Sequence, residues 1–153
     1  MPETMPETVT DTLLTAAPQL TADGALLILR AAKKKAEAME VPQCLVVVDA
    51  GGNRLAYLRM EGAKVLSEAS ATNKAVTAAS SRTRTGGVPA EVEMKLAVAT
   101  QGQLVNLKGG LPVVVDGYVV GAVGVGSGTG EQDVEVGEAG LQAYYAALGR
   151  GGE

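Results

Sequence analysis

The residue types available for chemistry in this sequence are restricted, because histidine is absent from all 153 residues and Cys44 is the single cysteine. A Ser-His-Asp triad, a Cys–His nucleophile, His-ligated zinc and His-ligated haem are therefore excluded. Cys44 lies in an apolar run, which predicts a buried, inert thiol and excludes a disulfide within the chain. We identify no candidate metal-binding residues.

A glycine-rich loop, GSGTG at residues 126–130, follows an apolar run and precedes a predicted helix. This arrangement can direct backbone N–H groups towards an anion. The spacing matches neither the dinucleotide fingerprint, whose third glycine is replaced by Thr129 or Glu131, nor a phosphate-binding P-loop. Two interpretations stay open: a turn capped by Thr129 with Gln132 as capping-box partner, or a ligand wall. The ligand-binding candidates in the second case are Gly126, Gly128 and Thr129.

Two acids, Glu131 and Asp133, lie at the start of the helix that follows this loop. Carboxylates suit a helix N-terminus on dipole grounds alone, but either one could also act as a general base. Residues at i and i+2 do not share a helix face, which disfavours a pair that shares one proton. Glu131 and Asp133 are our candidate catalytic residues.

Cationic side chains around a second polar loop are candidates for holding an anionic ligand. Arg82 and Arg84 flank Thr83 directly after the second predicted helix. A guanidinium group binds a carboxylate in a bidentate manner, but it equally neutralises the last carbonyls of a helix. Both alternatives stay open. Arg82, together with Lys74 in the preceding helix, is a candidate ligand-binding residue.

Composition narrows the class of protein. The net charge is −4 and four tyrosines are the only aromatic residues, so a nucleic-acid interface is not expected. No segment approaches the ~18 consecutive apolar residues of a membrane span, and the acidic N-terminus lacks a signal-peptide layout. These features predict a cytoplasmic protein with no membrane partner. A core of alanine, valine, leucine and methionine predicts a homo-oligomer, because subunit contacts would complete the burial.

Hydrophobic periodicity predicts four helices and four strands. The helices are expected over about 21–40, 65–81, 89–99 and 131–148. The strands are expected over about 44–49, 54–60, 111–115 and 118–125. Because hairpins join these strands, the fold class is α/β (α+β) with a largely antiparallel sheet. One domain over residues 20–150 is expected, preceded by a disordered tail at 1–19.

Finer expectations concern three of these elements. The first helix should begin after the N-cap Thr21, and Pro89 should take the first position of the third. Small residues in the strand at 118–125 predict close backbone approach by a neighbour or a ligand. The buried stripe of the first helix is predicted to be Leu26, Leu29, Ala32, Ala36 and Met39.

Motifs spread over residues 20–148 resemble, in the right order, those of the GlcG/HbpS family, also known as haem-binding or PduO C-terminal-like proteins. The family signature near the C-terminus reads GGxPl…dGxxvGAiGVSGGtxeqD. The matching segments here are VVDAGGN at 47–53, RMEGA at 59–63, NKA at 73–75, TAA at 77–79, GGLPVVVDG at 109–117, VGAVGV at 120–125 and GTGEQD at 128–133.

The resemblance implies a profilin-like, three-layer α/β/α fold around a five-stranded, largely antiparallel sheet. It also implies homo-oligomers, often octameric, that bind small ligands; members are linked to haem binding and degradation, corrinoid metabolism and glycolate operons. A histidine common in the first hairpin turn of the family is Asn53 here. Haem stays a candidate ligand through Tyr, Met, Thr, Lys or Cys44, but we expect its affinity to be weak or absent.

These observations lead to competing hypotheses. The first is an oligomeric small-ligand-binding protein whose ligand is haem or a related tetrapyrrole. The alternative is a cofactor-independent isomerase, cyclase or lyase that acts on a small anionic metabolite, with Arg82 as anchor and Glu131 or Asp133 as base. A third hypothesis, an assembly protein with no ligand, predicts no pocket.

Overall fold

The described part of the chain, residues 13–152 of a computed structural model, contains four helices and four strands. The predicted disorder of residues 1–12 lies outside the described residues, and residues 13–19 form no helix or strand. No helix within 13–152 is long and apolar enough to cross a membrane. In chain order the elements are α1 (Ala22–Met39), β1 (Cys44–Asp49), β2 (Arg54–Arg59), α2 (Ser67–Ser81), α3 (Ala90–Ala99), β3 (Gly110–Val115), β4 (Tyr118–Gly126) and α4 (Gly130–Leu148).

The four strands form one antiparallel sheet in the order β2-β1-β4-β3. The two hairpins, β1–β2 and β3–β4, were both predicted, and β1 pairs with β4 at the centre from Cys44↔Gly126 to Asp49↔Gly121. The expected fifth strand is wrong for residues 13–152. The connections that could have supplied it use their backbone groups in turns and in bonds to side chains, as when Val105 N–H donates to Thr77 Oγ1.

Helices cover both faces of the sheet because alternate strand residues point to opposite sides. Leu45 and Val47 of β1 pack in the larger core beneath α1 and α4, whereas Val46 and Val48 pack against the alanines of α2. The result is an α+β fold with α1 and α4 on one face of the sheet and α2 on the other.

Helix α1 begins as predicted, with the Thr21 hydroxyl accepting a hydrogen bond from Gly24 N–H at 3.0 Å. The predicted stripe is wrong at Leu26, which is 37% exposed. The buried face is centred one position away, because Ala25 and Ile28 face α4 and the sheet. Pro89 is the N-cap of α3 and not its first helical residue. The buried residues of α1 are Ala25, Ile28, Leu29, Ala32 and Ala36.

The close backbone approach predicted for the glycine-rich strand is confirmed, and the neighbour is α2. A Cβ atom built on Gly124 would lie 1.9 Å from the carbonyl oxygen of Ala71, and one on Gly110 would lie 2.3 Å from that of Lys74. Glycine is therefore required at both positions for α2 to rest directly on the sheet.

We expect Gly124→Ala to lower the free energy of unfolding by about 3 kcal/mol, because the added methyl group must push α2 off the sheet. Gly87→Ala is the control, since no heavy atom lies within 4 Å of a Cβ at Gly87; its effect should stay within about 0.5 kcal/mol. Urea denaturation followed by circular dichroism measures both. Equal stability of Gly124→Ala and the wild type would contradict the packing described.

Candidate functional site

A buried ion pair joins α2 to α4 beneath the glycine-rich loop. Lys74 Nζ lies 2.9 Å from Asp133 Oδ2, and the two side chains are only 6% and 3% exposed. Lys74 Nζ also donates to the carbonyl oxygen of Val125 at 2.8 Å, and Asp133 Oδ1 accepts from Gly128 N–H at 3.0 Å. Two candidates from the sequence therefore meet, but as an internal link between α2, the end of β4 and the first turn of α4.

Burial dominates the titration of Asp133 and raises the pKa of its carboxyl group, while the Lys74 ammonium and Gly128 N–H act in the opposite direction. The Gln43 amide lies beside the carboxylate and also favours its ionised form, although neither of its polar atoms forms a hydrogen bond with any described residue. Because the pKa is raised on folding, the ionised carboxylate costs folding free energy. That cost is absent below the unfolded-state pKa and complete once the pH exceeds the folded-state pKa.

Gly109 closes this cluster from the side of β3. Its φ of +123° favours glycine, and a Cβ there would lie 2.9 Å from the Asp133 Cβ and 3.1 Å from Lys74 Nζ. Gly109 entered the sequence analysis only as part of a family motif. No local signal indicates this role, since the crowding comes from residues distant in the chain.

The glycine-rich loop is a capped turn. Thr129 Oγ1 accepts from Gln132 N–H at 3.2 Å, and Gln132 Oε1 accepts from Thr129 N–H at 2.9 Å, which confirms the predicted capping box. A Cβ atom built on Gly126 would lie 3.1 Å from the carbonyl oxygen of Ser67. Because side chains of the protein itself occupy the N–H groups of Gly128, Thr129 and Gln132, the loop does not present these three donors to an anion.

An open cavity beside this turn, which we call the α4 groove, has a volume of about 490 Å³. Lys108 Nζ lies 3.3 Å from Glu131 Oε1 at its edge, and Arg84 Nη1 lies 2.6 Å from Glu138 Oε1. Arg84 and Glu138 also line an adjoining cavity of about 250 Å³. The α4 groove is lined by Arg84, Thr85, Gly86, Gly87, Lys108, Glu131 and Val134.

The structure places the predicted site residues in three different surroundings: the α4 groove, the buried ion pair and the exposed end of α2. Glu131 faces the α4 groove, whereas Lys74 and Asp133 lie buried beneath the loop. Arg82 is exposed at the end of α2, where it takes a left-handed conformation and its N–H donates to Ala78 O; it does not line the groove. Arg84 does line it, and so does Lys108, which no sequence pattern marks, because an isolated lysine in a loop carries no signal.

Two neighbouring groups lower the pKa of the Glu131 carboxyl group. A backbone N–H at the start of α4 lowers the pKa of Glu131, and Lys108 lowers it further, so this exposed carboxylate stays ionised.

Cys44 is buried as predicted, and burial raises the pKa of its thiol. Within residues 13–152, no cluster of three or more acidic or cysteine side chains could hold a metal ion.

We expect Lys74→Met to lower the free energy of unfolding at pH 7 by about 3–5 kcal/mol, because Asp133 then stays buried without its cation. The loss should shrink at pH 4, where the carboxyl group of the variant is protonated. Urea denaturation at both pH values measures this. The double variant Lys74→Met/Asp133→Leu, which removes both charges, should recover most of the loss; an equal loss at both pH values would contradict the assignment.

Comparison with known proteins places the chain in a family. The family model described as haem degrading protein HbpS-like matches residues 20–142. An uncharacterized 15.0 kDa protein from the dhaT-dhaS intergenic region of Citrobacter freundii is 40% identical over 132 residues, covering 78% of this chain and 93% of that protein.

Solved structures agree with this family match. The crystal structure of a PduOC–haem complex has a TM-score of 0.77 at 29% identity, covering 82% of this chain and 95% of PduOC. A double mutant of HbpS from Streptomyces reticuli also has a TM-score of 0.77, at 31% identity, covering 92% of this chain and 97% of HbpS. The chain thus belongs to the HbpS-like family, the GlcG/HbpS family that its motifs resemble.

Proposed function

We propose that this chain is a small-ligand-binding protein that holds an anionic ligand of the tetrapyrrole class in the α4 groove. The proposal rests on one observation: two cations, Arg84 and Lys108, line the same cavity as the apolar side chain of Val134. Support for the ligand class comes from the haem-bound PduOC structure and from the haem-degrading description of the family.

The α4 groove has the properties of a small-molecule site. Its volume of about 490 Å³ lies within the usual range for ligand pockets, and the backbone of Gly86 and Gly87 forms one wall without side chains. Arg84 and Lys108 suit carboxylate groups, and their present partners, Glu138 and Glu131, are solvent-exposed.

The one anionic donor among the described groove-lining residues that haem iron could use is the Glu131 carboxylate, and it is paired with Lys108. The other donor groups in and near this site do not support coordination of the iron. The Thr85 hydroxyl is committed, because it donates to Leu107 O and accepts from Gly110 N–H. Lys108 donates to Glu131 Oε1 in an ion pair, and an ammonium group has no lone pair for a metal. Tyr145 in the adjoining cavity accepts from Val114 N–H, and the Cys44 thiol is buried.

The enzymatic alternative has less support from the geometry. Glu131 faces the α4 groove, but a carboxylate whose pKa is lowered is a weaker base. Asp133 has a raised pKa but lies buried in its pair with Lys74. Neither acid combines basicity with access to a bound ligand, which favours binding over proton abstraction.

We also propose that the protein works as a homo-oligomer. Helix α3 contributes no buried residue to the described part of the chain, and its Met94 and Val98 are 73% and 71% exposed. Val65 and Leu66, directly before α2, are similarly exposed. Exposed apolar side chains of this size, on a helix that buries none of its own residues, favour contact with another subunit.

A bulky side chain in the α4 groove should block the ligand. We expect Gly87→Trp to weaken binding of protoporphyrin IX at least tenfold, because the open space around Gly87 lets the indole enter the groove. Fluorescence titration measures the affinity. Ala146→Trp, on an exposed position of α4 outside the groove, is the control and should bind like the wild type. Equal affinity of the two variants would contradict this location.

Charges on α3 should disrupt the assembly. We expect the wild type to sediment as at least a dimer at micromolar concentration, and Met94→Glu/Val98→Glu to shift it to smaller species, because carboxylates would be buried in the contact. Leu148→Glu, which changes a 38% exposed residue at the far end of α4, is the control. A monomeric wild type would contradict the oligomer, and an unchanged double variant would contradict the role of α3.

A further inference from the structure

We infer that this chain recognises a tetrapyrrole by its carboxylate groups and not by its metal, so that an iron-free porphyrin binds as tightly as haem. The inference rests on the function proposed for the α4 groove. On binding, Arg84 and Lys108 exchange the carboxylates of Glu138 and Glu131 for the two carboxylates of the ligand.

The two ion pairs whose cations line the α4 groove are suited to exchange because they are exposed. The side chains of Arg84 and Glu138 are 42% and 39% exposed, and those of Lys108 and Glu131 are 57% and 79% exposed. Ion pairs with this exposure contribute little to stability, so a ligand carboxylate displaces either acid at small cost. The displaced glutamates return to water, where they are fully solvated.

The two pairs lie on one face of α4. Glu131 and Glu138 are seven residues apart, which is about two turns or 10 Å along the helix axis. Val134, three residues after Glu131, lies on the same face between them and lines the groove. The surface therefore presents cation, apolar side chain and cation in sequence, which fits a ligand with an apolar body and two anionic groups.

This arrangement makes the metal dispensable. Thr85 carries the one hydroxyl among the described groove-lining residues, and two hydrogen bonds within the protein occupy it. Histidine is absent from the whole sequence. The charge of the ligand and its apolar surface are then the properties that the groove can distinguish.

The first test compares three ligands on the intact wild-type protein: haemin, protoporphyrin IX and the dimethyl ester of protoporphyrin IX. We expect the dissociation constants of haemin and protoporphyrin IX to agree within about threefold, because no bond to iron forms. The dimethyl ester should bind at least about tenfold more weakly, since it lacks both carboxylates. Raising the salt concentration should weaken the binding of haemin and protoporphyrin IX, which carry carboxylates. It should leave the binding of the ester unaffected.

The second test uses variants of both partners in each pair. Arg84→Gln and Lys108→Gln should each weaken binding of protoporphyrin IX by roughly tenfold. Glu131→Gln and Glu138→Gln should instead tighten it by about two- to fivefold, because each removes one carboxylate that competes with the ligand for a cation. A purely structural role would not produce such a gain. Arg54→Gln and Glu68→Gln, which break a similarly exposed ion pair outside the groove, are the matched controls and should have no effect.

The outcomes separate this inference from the function on which it rests. If haemin binds tenfold or more tightly than protoporphyrin IX, with a sharp Soret shift, metal recognition is established and the inference is overturned while the binding function stands. If the two glutamate variants fail to tighten binding, or if the Arg54 control weakens it equally, the exchange of ion pairs is overturned. If neither porphyrin saturates the wild type, the proposed function fails as well.

Discussion

The contact between α2 and the glycine-rich strand β4 is the constraint on which the rest of this structure depends. Glycine at 110 and 124 lets the helix backbone rest on the sheet, with no side chain between them. That proximity brings Lys74 within reach of Val125 O and Asp133, so the ammonium group joins three elements at a depth where an unpaired charge would be very costly. The junction holds the first turn of α4, where Glu131 lines the α4 groove.

The ion pairs around α4 fall into two groups that differ in solvent exposure. The Lys74–Asp133 pair is nearly fully buried, so removing one partner leaves a charge that water cannot reach. The pairs Arg84–Glu138 and Lys108–Glu131 lie in water at the edge of the α4 groove, where they can open for an anionic ligand at little cost. Removal of one buried charge is therefore costly, whereas the exposed pairs suit the exchange with a ligand that we propose.

A core almost without aromatic residues also shapes the surface. Valine strands and alanine helices make thin layers that pack closely but bury modest area, and α3 is left with its apolar side chains in contact with solvent. A subunit contact over α3 would supply burial that a single copy lacks. The proposed assembly and the small-residue core are thus two consequences of one composition.

Features that depend on residues close together in the chain were predicted from the sequence alone. Both hairpins, the Thr21 cap, the Thr129 capping box and the burial of Cys44 each follow from a few neighbouring residues, as does the need for a close neighbour along β4. Tertiary structure decided which candidates meet. Lys74 and Asp133 are 59 residues apart in sequence, and their pairing depends on how α2 and α4 pack on the sheet. The same packing leaves Arg82 outside the α4 groove and brings Arg84 and Lys108 into its lining, because a side chain's neighbours across a groove are set by the fold and not by its spacing along the chain.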